Sequence, residues 1–411
     1  MVNRATRATA LHVLRTLHEA GYEAYFAGGC VRDMLRGERP NDYDIATSAT
    51  PRQIQNLFRR VLMVGATFGV AIVLRRDADG VDRQIEVATF RSDLSYSDGR
   101  RPDSVTFSSP REDAERRDFT INGMFYDPLA EKVIDFVGGQ ADLAAGVIRT
   151  IGEPQERFDE DYLRLLRAVR FAARLGFDID PATADAARRN AANITSISGE
   201  RIVDELTKML ALDSAADALR GLAELDLAKH VLPELDDPEV WQAAVARVER
   251  LANHRDATLA LGGMLCDVKP PAIASIVRRW GGSNDLKAAL QFLAEHCDDW
   301  QRAATMERGE FKRLLASEYW RRLEKLWQAR EALARGETIQ TEKAAVRAAA
   351  IPPERVAPDP FVTGADLIDM GLTEGPRIGA VLSAVYDAQL NEAVATRDAA
   401  IAMARRLIDE A

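Results

Sequence analysis

Cysteine is scarce in this chain: three residues in 411, Cys30, Cys266 and Cys297, with no C-x-x-C pair. A zinc ribbon or a disulfide framework needs paired spacings, so neither is expected, and a reducing cytoplasm fits this usage best. Histidine is nearly as rare. The five histidines, including His254 in "ANHRDAT" and His296 in "EHCDD", form no H-D or H-x-x-x-H cluster, which argues against a metal-dependent phosphohydrolase domain. No run of about 18 apolar residues exists, so no membrane-spanning helix is expected. A basic excess is also missing. With 54 Lys and Arg against 64 Asp and Glu the net charge is −10, which argues against indiscriminate nucleic-acid binding. If one is bound, the arginines must be pooled on one face.

What is present is an ordinary globular composition, 47% hydrophobic and 29% charged. The length exceeds that of one usual core and implies two to four domains. The opening "MVNRATRATALHVLRTLHEAG" sets Leu11, Val13, Leu14 and Leu17 roughly on one face, broken by His12 and Arg15. That pattern predicts an amphipathic helix rather than a signal peptide. Short β-like runs follow, "YEAYFAG", "DYDIAT", "VGATFGVAIVL" and "RQIEVATF", then a polar stretch over 91–110 that reads as a long surface loop. From about residue 145 the pattern turns helical, punctuated by Gly176, Pro181 and Ser198. The proline-rich segment 351–360 reads as a linker, and no internal repeat is evident.

The stretch "AGGCVRDMLRGERPNDYDIAT" (27–47) concentrates chemistry. Side chains two apart on a strand share a face, so Asp42 and Asp44 project together while Tyr43 and Ile45 point to the core. Adjacent carboxylates repel unless a cation intervenes, and hard Mg²⁺ commonly takes one or two carboxylates plus substrate phosphates. A D-x-D pair also occurs by chance on exposed strands. Gly28 and Gly29 stand between an apolar run and a short helix, where backbone N–H groups can meet phosphate oxygens. A plain tight turn is the alternative. Arg32 adds a permanent cation in the helix that follows.

"GGCVRD" followed by "DYDIAT" resembles the head motif of the class II nucleotidyltransferases, the family of the CCA-adding tRNA nucleotidyltransferases and bacterial poly(A) polymerases. "RRDFTING" (116–123) is similar to its second motif, "DEDYLRLLRAVRFAARLGF" (159–177) to its E-D-x-x-R and R-A-x-R-F signature, and "GADLIDMGLTEGPRIGAVLSAVYDAQL" (364–390) to the tail of the CCA-adding members. The family's usual alanine after the asparagine of the second motif is Gly123 here, a change expected to cost about 1 kcal/mol of helix propensity. Glu86 in "QIEVATF" is either a third acidic group beside the metals or a solvent-facing strand residue.

The resemblance implies an α+β fold: a nucleotidyltransferase-type mixed-sheet head (1–145), followed by an all-α neck carrying a nucleobase-selecting helix (146–215), a helical body (216–350) and a tRNA-binding tail (351–411). Asp42 and Asp44 are the implied metal ligands and catalytic groups, with Mg²⁺ as cofactor. Gly28, Gly29, Arg32, Arg117, Asp161, Arg164, Arg167 and Arg170 are the implied nucleotide-binding residues. Read as one helix, Asp161, Arg164, Arg167 and Arg170 fall at successive i+3 steps and form a stripe. In an anonymous helix such a stripe is an ordinary solvated face. In the family it faces the nucleotide, and an aspartate that accepts from an exocyclic amine beside an arginine that donates to a ring nitrogen fits both cytosine and adenine.

The implied reaction is template-independent addition of CCA to tRNA from CTP and ATP, with tRNA as partner, no membrane and no protein partner. Asp118 and Asn122, four apart on an expected helix, are implied to support the ribose and the turn. The glycine-rich "GPRIG" (375–379) offers either a phosphate contact or a helix–helix turn. Three other readings share parts of these features: a poly(A) polymerase, an A-adding-only enzyme, and an inert RNA-binding protein. The first is disfavoured by the acidic balance and the third by the retained carboxylates, while the 91–110 loop, which the family links to the switch to adenosine, disfavours a C-only enzyme.

Overall fold

The computed structural model describes residues 6–64, 69–93 and 105–409. These fall into two compact units, divided between Asp236 and Asp237. The middle of the 91–110 loop, residues 94–104, lies outside the described residues.

The first unit opens on α1 (Arg7–Glu19), started by a Thr6–Thr9 capping box. Its buried face is Ala10, Val13, Leu14 and Leu17, as the apolar spacing requires. Strands β1 (Ala24–Ala27), β2 (Asp44–Thr47), β3 (Val61–Leu62), β4 (Val70–Arg76) and β5 (Asp82–Thr89) follow. A short ribbon pairs β6 (Arg91–Asp93) with β7 (Val105–Phe107), and β8 (Phe125–Asp127) and β9 (Lys132–Ile134) close the set. The main sheet runs β3-β4-β5-β2-β1-β8-β9. It is mixed, because β2 pairs with β5 in parallel while the other pairs are antiparallel. The expected long loop over 91–110 is therefore stranded at both ends.

One face of the sheet buries Phe26, Ile45, Val73, Ile85 and Val87 against α1, Val31 and Ile54. The other carries Ala27, Ala46, Phe90 and Phe125. Between the strands lie α2 (Gly29–Leu35) and α3 (Pro51–Leu57). Beyond β7 come α4 (Pro110–Glu115), α5 (Gly139–Ala145), α6 (Pro154–Glu160), α7 (Leu163–Leu175), α8 (Pro181–Asn190) and α9 (Gly199–Leu210). Among the described residues after 145, a two-residue parallel pair, Val147–Ile148 with Asp178–Ile179, and a single bridge from Thr150 to Phe119 interrupt the helices. Gly176 ends α7 in the left-handed region, φ 66°, where glycine carries no Cβ penalty.

The stripe does not lie on one helix. Asp161 sits between α6 and α7 in an extended conformation, φ −158° and ψ 103°. Only the three arginines share α7. Likewise Thr120–Asn122 is a single 3₁₀ turn with Gly123 as its C-cap, so no helix-interior cost applies there. A Cβ on Gly123 would stand 2.7 Å from Val137 Cγ2, so glycine is the residue that fits.

The second unit is helical throughout its described residues. One core gathers Phe311, Trp320, Leu323, Leu326 and Trp327, with the two indoles edge to face at 5.4 Å. Another gathers Val362, Leu367, Val381, Val385, Ala400 and Ala404. The buried Glu331 accepts the N–H groups of Gln340 and Thr341, both at 2.8 Å. Two of the cysteines that look scattered in the sequence meet here: Cys297 Sγ donates to the Cys266 carbonyl at 3.2 Å, and both remain free thiols. Pro376–Gly379 forms the first turn of the helix Pro376–Leu390 rather than a glycine turn.

Among the described residues of the first unit, the tightest backbone approach is at Gly139, where a Cβ would lie 2.3 Å from the Thr120 carbonyl oxygen. That atom is main chain and cannot rotate away. Gly139→Ala is expected to destabilise the protein by about 1–3 kcal/mol, the usual range for overpacking, read as a lowered thermal midpoint. Gly37→Ala, at a left-handed position with nothing within 4 Å, is strained through its backbone alone and should cost less.

Candidate active site

The strand β1 delivers the chain to Gly28, whose φ of 70° turns it into α2. Gly28 N–H donates to the Met124 carbonyl at 3.3 Å, so of the two glycines only Gly29 offers its N–H to a ligand. A Cβ on Gly28 would lie 3.1 Å from an Arg117 Nη1. The glycine thus lets that guanidinium approach the turn. Arg32 is 2% exposed and does not reach outward. It donates to Asp33 Oδ1 at 2.9 and 2.7 Å and to Asn122 Oδ1 at 2.7 Å, fastening α2 to the 118–122 turn.

Asp44 begins β2 and is exposed, while Asp42 precedes the strand and is half-buried. Tyr43 and Ile45 point into the core, as the alternation requires. Asp42 Oδ1 accepts the Tyr43 N–H at 3.0 Å. Glu86, on β5, shares a hollow of about 290 Å³ with Asp44, Arg91, Arg116 and Arg117. Loss of water in that concavity, followed by the charge of Asp42, raises the Glu86 carboxyl above its usual range against a weaker pull from Arg117. Acidic oxygens collected this way suit a hard divalent cation. Among the described residues, no group of three or more His, Cys, Asp or Glu forms a complete cage. An ion here fits only with further ligands from phosphate or water.

Asp44, Arg116 and Arg117 also line a larger cleft of about 490 Å³. Eight arginines border it: Arg32, Arg116, Arg117, Arg164, Arg167, Arg170, Arg174 and Arg201. Gly28, Gly29, Asp118, Asn122, Asp161, Leu163 and Phe171 complete the wall. Of the residues expected from the sequence, all but Asp42 border this cleft. Phe119 meets Phe171 edge to face at 5.8 Å, which ties the 118–122 turn to α7.

Every α7 arginine has an acidic partner. Arg164 Nη1 donates to the Arg157 carbonyl at 2.7 Å and to Glu160, the i−4 carboxylate. Arg167 grips Asp118 Oδ2 at 2.8 and 2.5 Å. Arg170 Nε donates to Glu205 Oε2 at 2.5 Å and stacks over Phe171 at 4.4 Å. Arg174 reaches Asp33 at 3.3 Å. Burial lowers the pKa of Arg170 despite Glu205, whereas at Arg167 Asp118 and Glu205 outweigh burial. Asp161 pairs with Arg201 at 2.7 Å rather than with Arg164.

Sequence reading missed Arg116, Arg174 and Arg201 as cleft residues, and Glu205, Asp113 and Asp33 behind them. Arg116 adjoins Arg117 in "RRDFTING", and Arg174 extends the α7 stripe by one further step. Arg201 and Glu205 lie on α9, outside every motif, and carry no local signal.

Asp118 and Asn122 do meet, at 3.1 Å, through the tight turn rather than across a helix. Burial alone would raise the Asp118 carboxyl, but Arg167, Asn122 and Arg164 outweigh it and hold the pKa at about 2. A group depressed on folding contributes stability above its unfolded pKa and loses it as pH falls through the folded one. The contribution, about 2 kcal/mol from that shift, is therefore complete at pH 7 and fades from pH 4 down to about 2. In urea melts, Asp118→Asn is expected to be less stable than the parent at neutral pH, and the gap should narrow across that acid window.

A family model described as the poly A polymerase head domain matches residues 24–149. A second, described as the probable RNA and SrmB-binding site of polymerase A, matches residues 176–238. The CCA-adding enzyme of Levilactobacillus brevis is 36% identical over 382 residues, 90% of each chain. That of Lactiplantibacillus plantarum is 34% identical over 407 residues, 97% of this chain and 95% of its own. The crystal structure of the Bacillus stearothermophilus CCA-adding enzyme in complex with CTP superposes with a TM-score of 0.80 at 30% identity, covering 98% of both chains. With sheet, cleft and near-full-length similarity in agreement, this chain belongs to the family of the CCA-adding enzymes.

Proposed function

We propose that this protein adds C, C and A in turn to the 3′ end of tRNA, using CTP and ATP and no nucleic-acid template. The observation that carries this reading is the arginine-lined cleft with Asp44 at its edge, in a chain that matches CCA-adding relatives over nine-tenths of its length. The 3′-hydroxyl oxygen of the tRNA attacks the α-phosphorus of the nucleotide. The bond from that phosphorus to the oxygen bridging the β-phosphate breaks, pyrophosphate leaves with that oxygen, and the hydroxyl proton passes to solvent.

Asp42 and Asp44 would hold divalent ions, Mg²⁺ by the hardness of their oxygens. Such ions, when bound, supply Lewis acidity to the attacking hydroxyl and to the phosphates. Arg117, Arg167 and Arg170 face the triphosphate and sugar, and Gly29 N–H meets a phosphate oxygen. Arg32 and Gly28 act from behind, the first by anchoring Asn122 and the second by admitting Arg117. Asp161 accepts from the exocyclic amine of cytosine or adenine while Arg164 donates to the ring nitrogen. Uracil and guanine present acceptors where Asp161 needs a donor. Sites that leave buried polar groups unpaired reject the wrong partner by about 10⁴ or more.

The head spans 1–145, the neck 146–215, the body 216–350 and the tRNA-binding tail 351–411 in this reading, and the cytoplasm is its compartment. The head-domain description of the first family model also suits a poly(A) polymerase, so the assay includes both primers. Purified protein with Mg²⁺ and CTP plus ATP should extend a tRNA lacking CCA by three nucleotides in the order C, C, A and leave oligo(A) unextended. Long A tracts on oligo(A) would make it a poly(A) polymerase. Asp44→Ala is expected to lower incorporation at least about 10³-fold with the thermal midpoint preserved; activity within tenfold of the parent would defeat the metal assignment.

A further inference from the structure

The Asp161 carboxylate is placed by two partners. Its Oδ1 accepts the Leu163 N–H at 3.0 Å, which fixes one oxygen against the start of α7. Its Oδ2 accepts from Arg201 Nη2 at 2.7 Å. Arg201 comes from α9, which packs along α7, and its side chain borders the same cleft. The backbone around Asp161 is extended and belongs to neither flanking helix. Nothing in the local main chain beyond the Leu163 contact fixes where this carboxylate points.

We propose that Arg201 is a specificity-positioning residue, which holds Asp161 as an acceptor facing the nucleobase. The proposal rests on the reading of Asp161 given above. A carboxylate oxygen can accept more than one hydrogen bond, so Oδ2 can keep Arg201 and still receive the exocyclic amine of cytosine or adenine. Without Arg201 the carboxylate is free to turn toward Arg164, one helical turn on, or toward solvent. Either movement removes the acceptor that rejects uracil and guanine. Arg201 therefore acts through Asp161 rather than on the base. Its loss affects the choice of nucleotide more than the rate with the correct one.

The test is single-nucleotide incorporation onto tRNA lacking its terminal CCA, with CTP against UTP, and onto tRNA ending in CC, with ATP against GTP. The parent, Arg201→Ala, Arg201→Met, Asp161→Ala and the double variant Asp161→Ala/Arg201→Ala are compared by their ratios of kcat/KM. Arg201→Met keeps the volume without a donor and carries the test if the alanine variant is poorly folded. Both Arg201 variants are expected to lower the correct-to-wrong ratio by about tenfold or more. The double variant should match Asp161→Ala, since a residue that acts only through another adds nothing once that other is gone.

A ratio within threefold of the parent in the Arg201 variants, while Asp161→Ala lowers it, overturns the proposal. So does an equal fall for correct and wrong nucleotides, the signature of a purely structural ion pair. A double variant worse than Asp161→Ala would show Arg201 acting on its own and would overturn it too. If Asp161→Ala itself leaves the ratio unchanged, the reading of Asp161 fails instead.

Discussion

The cleft depends on one electrostatic balance: guanidinium groups crowded on α7 and held apart in usable positions by carboxylates from elsewhere in the fold. Arg167 is countered by Asp118 from the 118–122 turn, Arg170 by Glu205 from α9, and Arg174 by Asp33 from α2. Each pair joins two elements distant in sequence. Glu205, 2% exposed, is the most enclosed of these acids and has Arg170, Arg167 and Lys208 around it. A buried pair is weak evidence of net stability, but removing one partner leaves an uncompensated charge. These contacts therefore fix the shape of the cleft more than they add to the stability of the fold. They also explain how a chain of net charge −10 presents a cationic surface to a polyphosphate.

The sheet serves that balance by placing short turns at its edge. Strand β1 brings Gly28 under Arg117, β2 starts at Asp44, and β8 follows directly on the turn that holds Asn122. The aromatic contact of Phe119 with Phe171 keeps that turn on α7, so the Asp118–Arg167 pair is not required to hold the two elements together alone.

Much of this was legible in the sequence because the signals were local. Apolar spacing marked α1, alternation put Tyr43 and Ile45 inside, and Gly176 marked the end of α7. Contiguous motifs named the expected residues, and all of these but Asp42 border the cleft. The failures share a cause. Asp161 reads as part of the helix because its spacing is right, yet the chain breaks before Leu163, and spacing alone does not report a break. Asp118 and Asn122 meet by a 3₁₀ turn at a separation that also suits an α-helix. Arg32 reads as an outward cation because burial by Asp33 and Asn122 is a tertiary fact. Arg201 and Glu205 escaped because their partners lie 40 and 35 residues away.

Asp44, Arg116 and Arg117 belong to both hollows at once. A charged occupant of one alters the potential in the other through these shared side chains, so two charged occupants do not bind independently. Linkage makes that influence mutual: the first occupant sets the affinity for the second by the same factor that the second sets for the first.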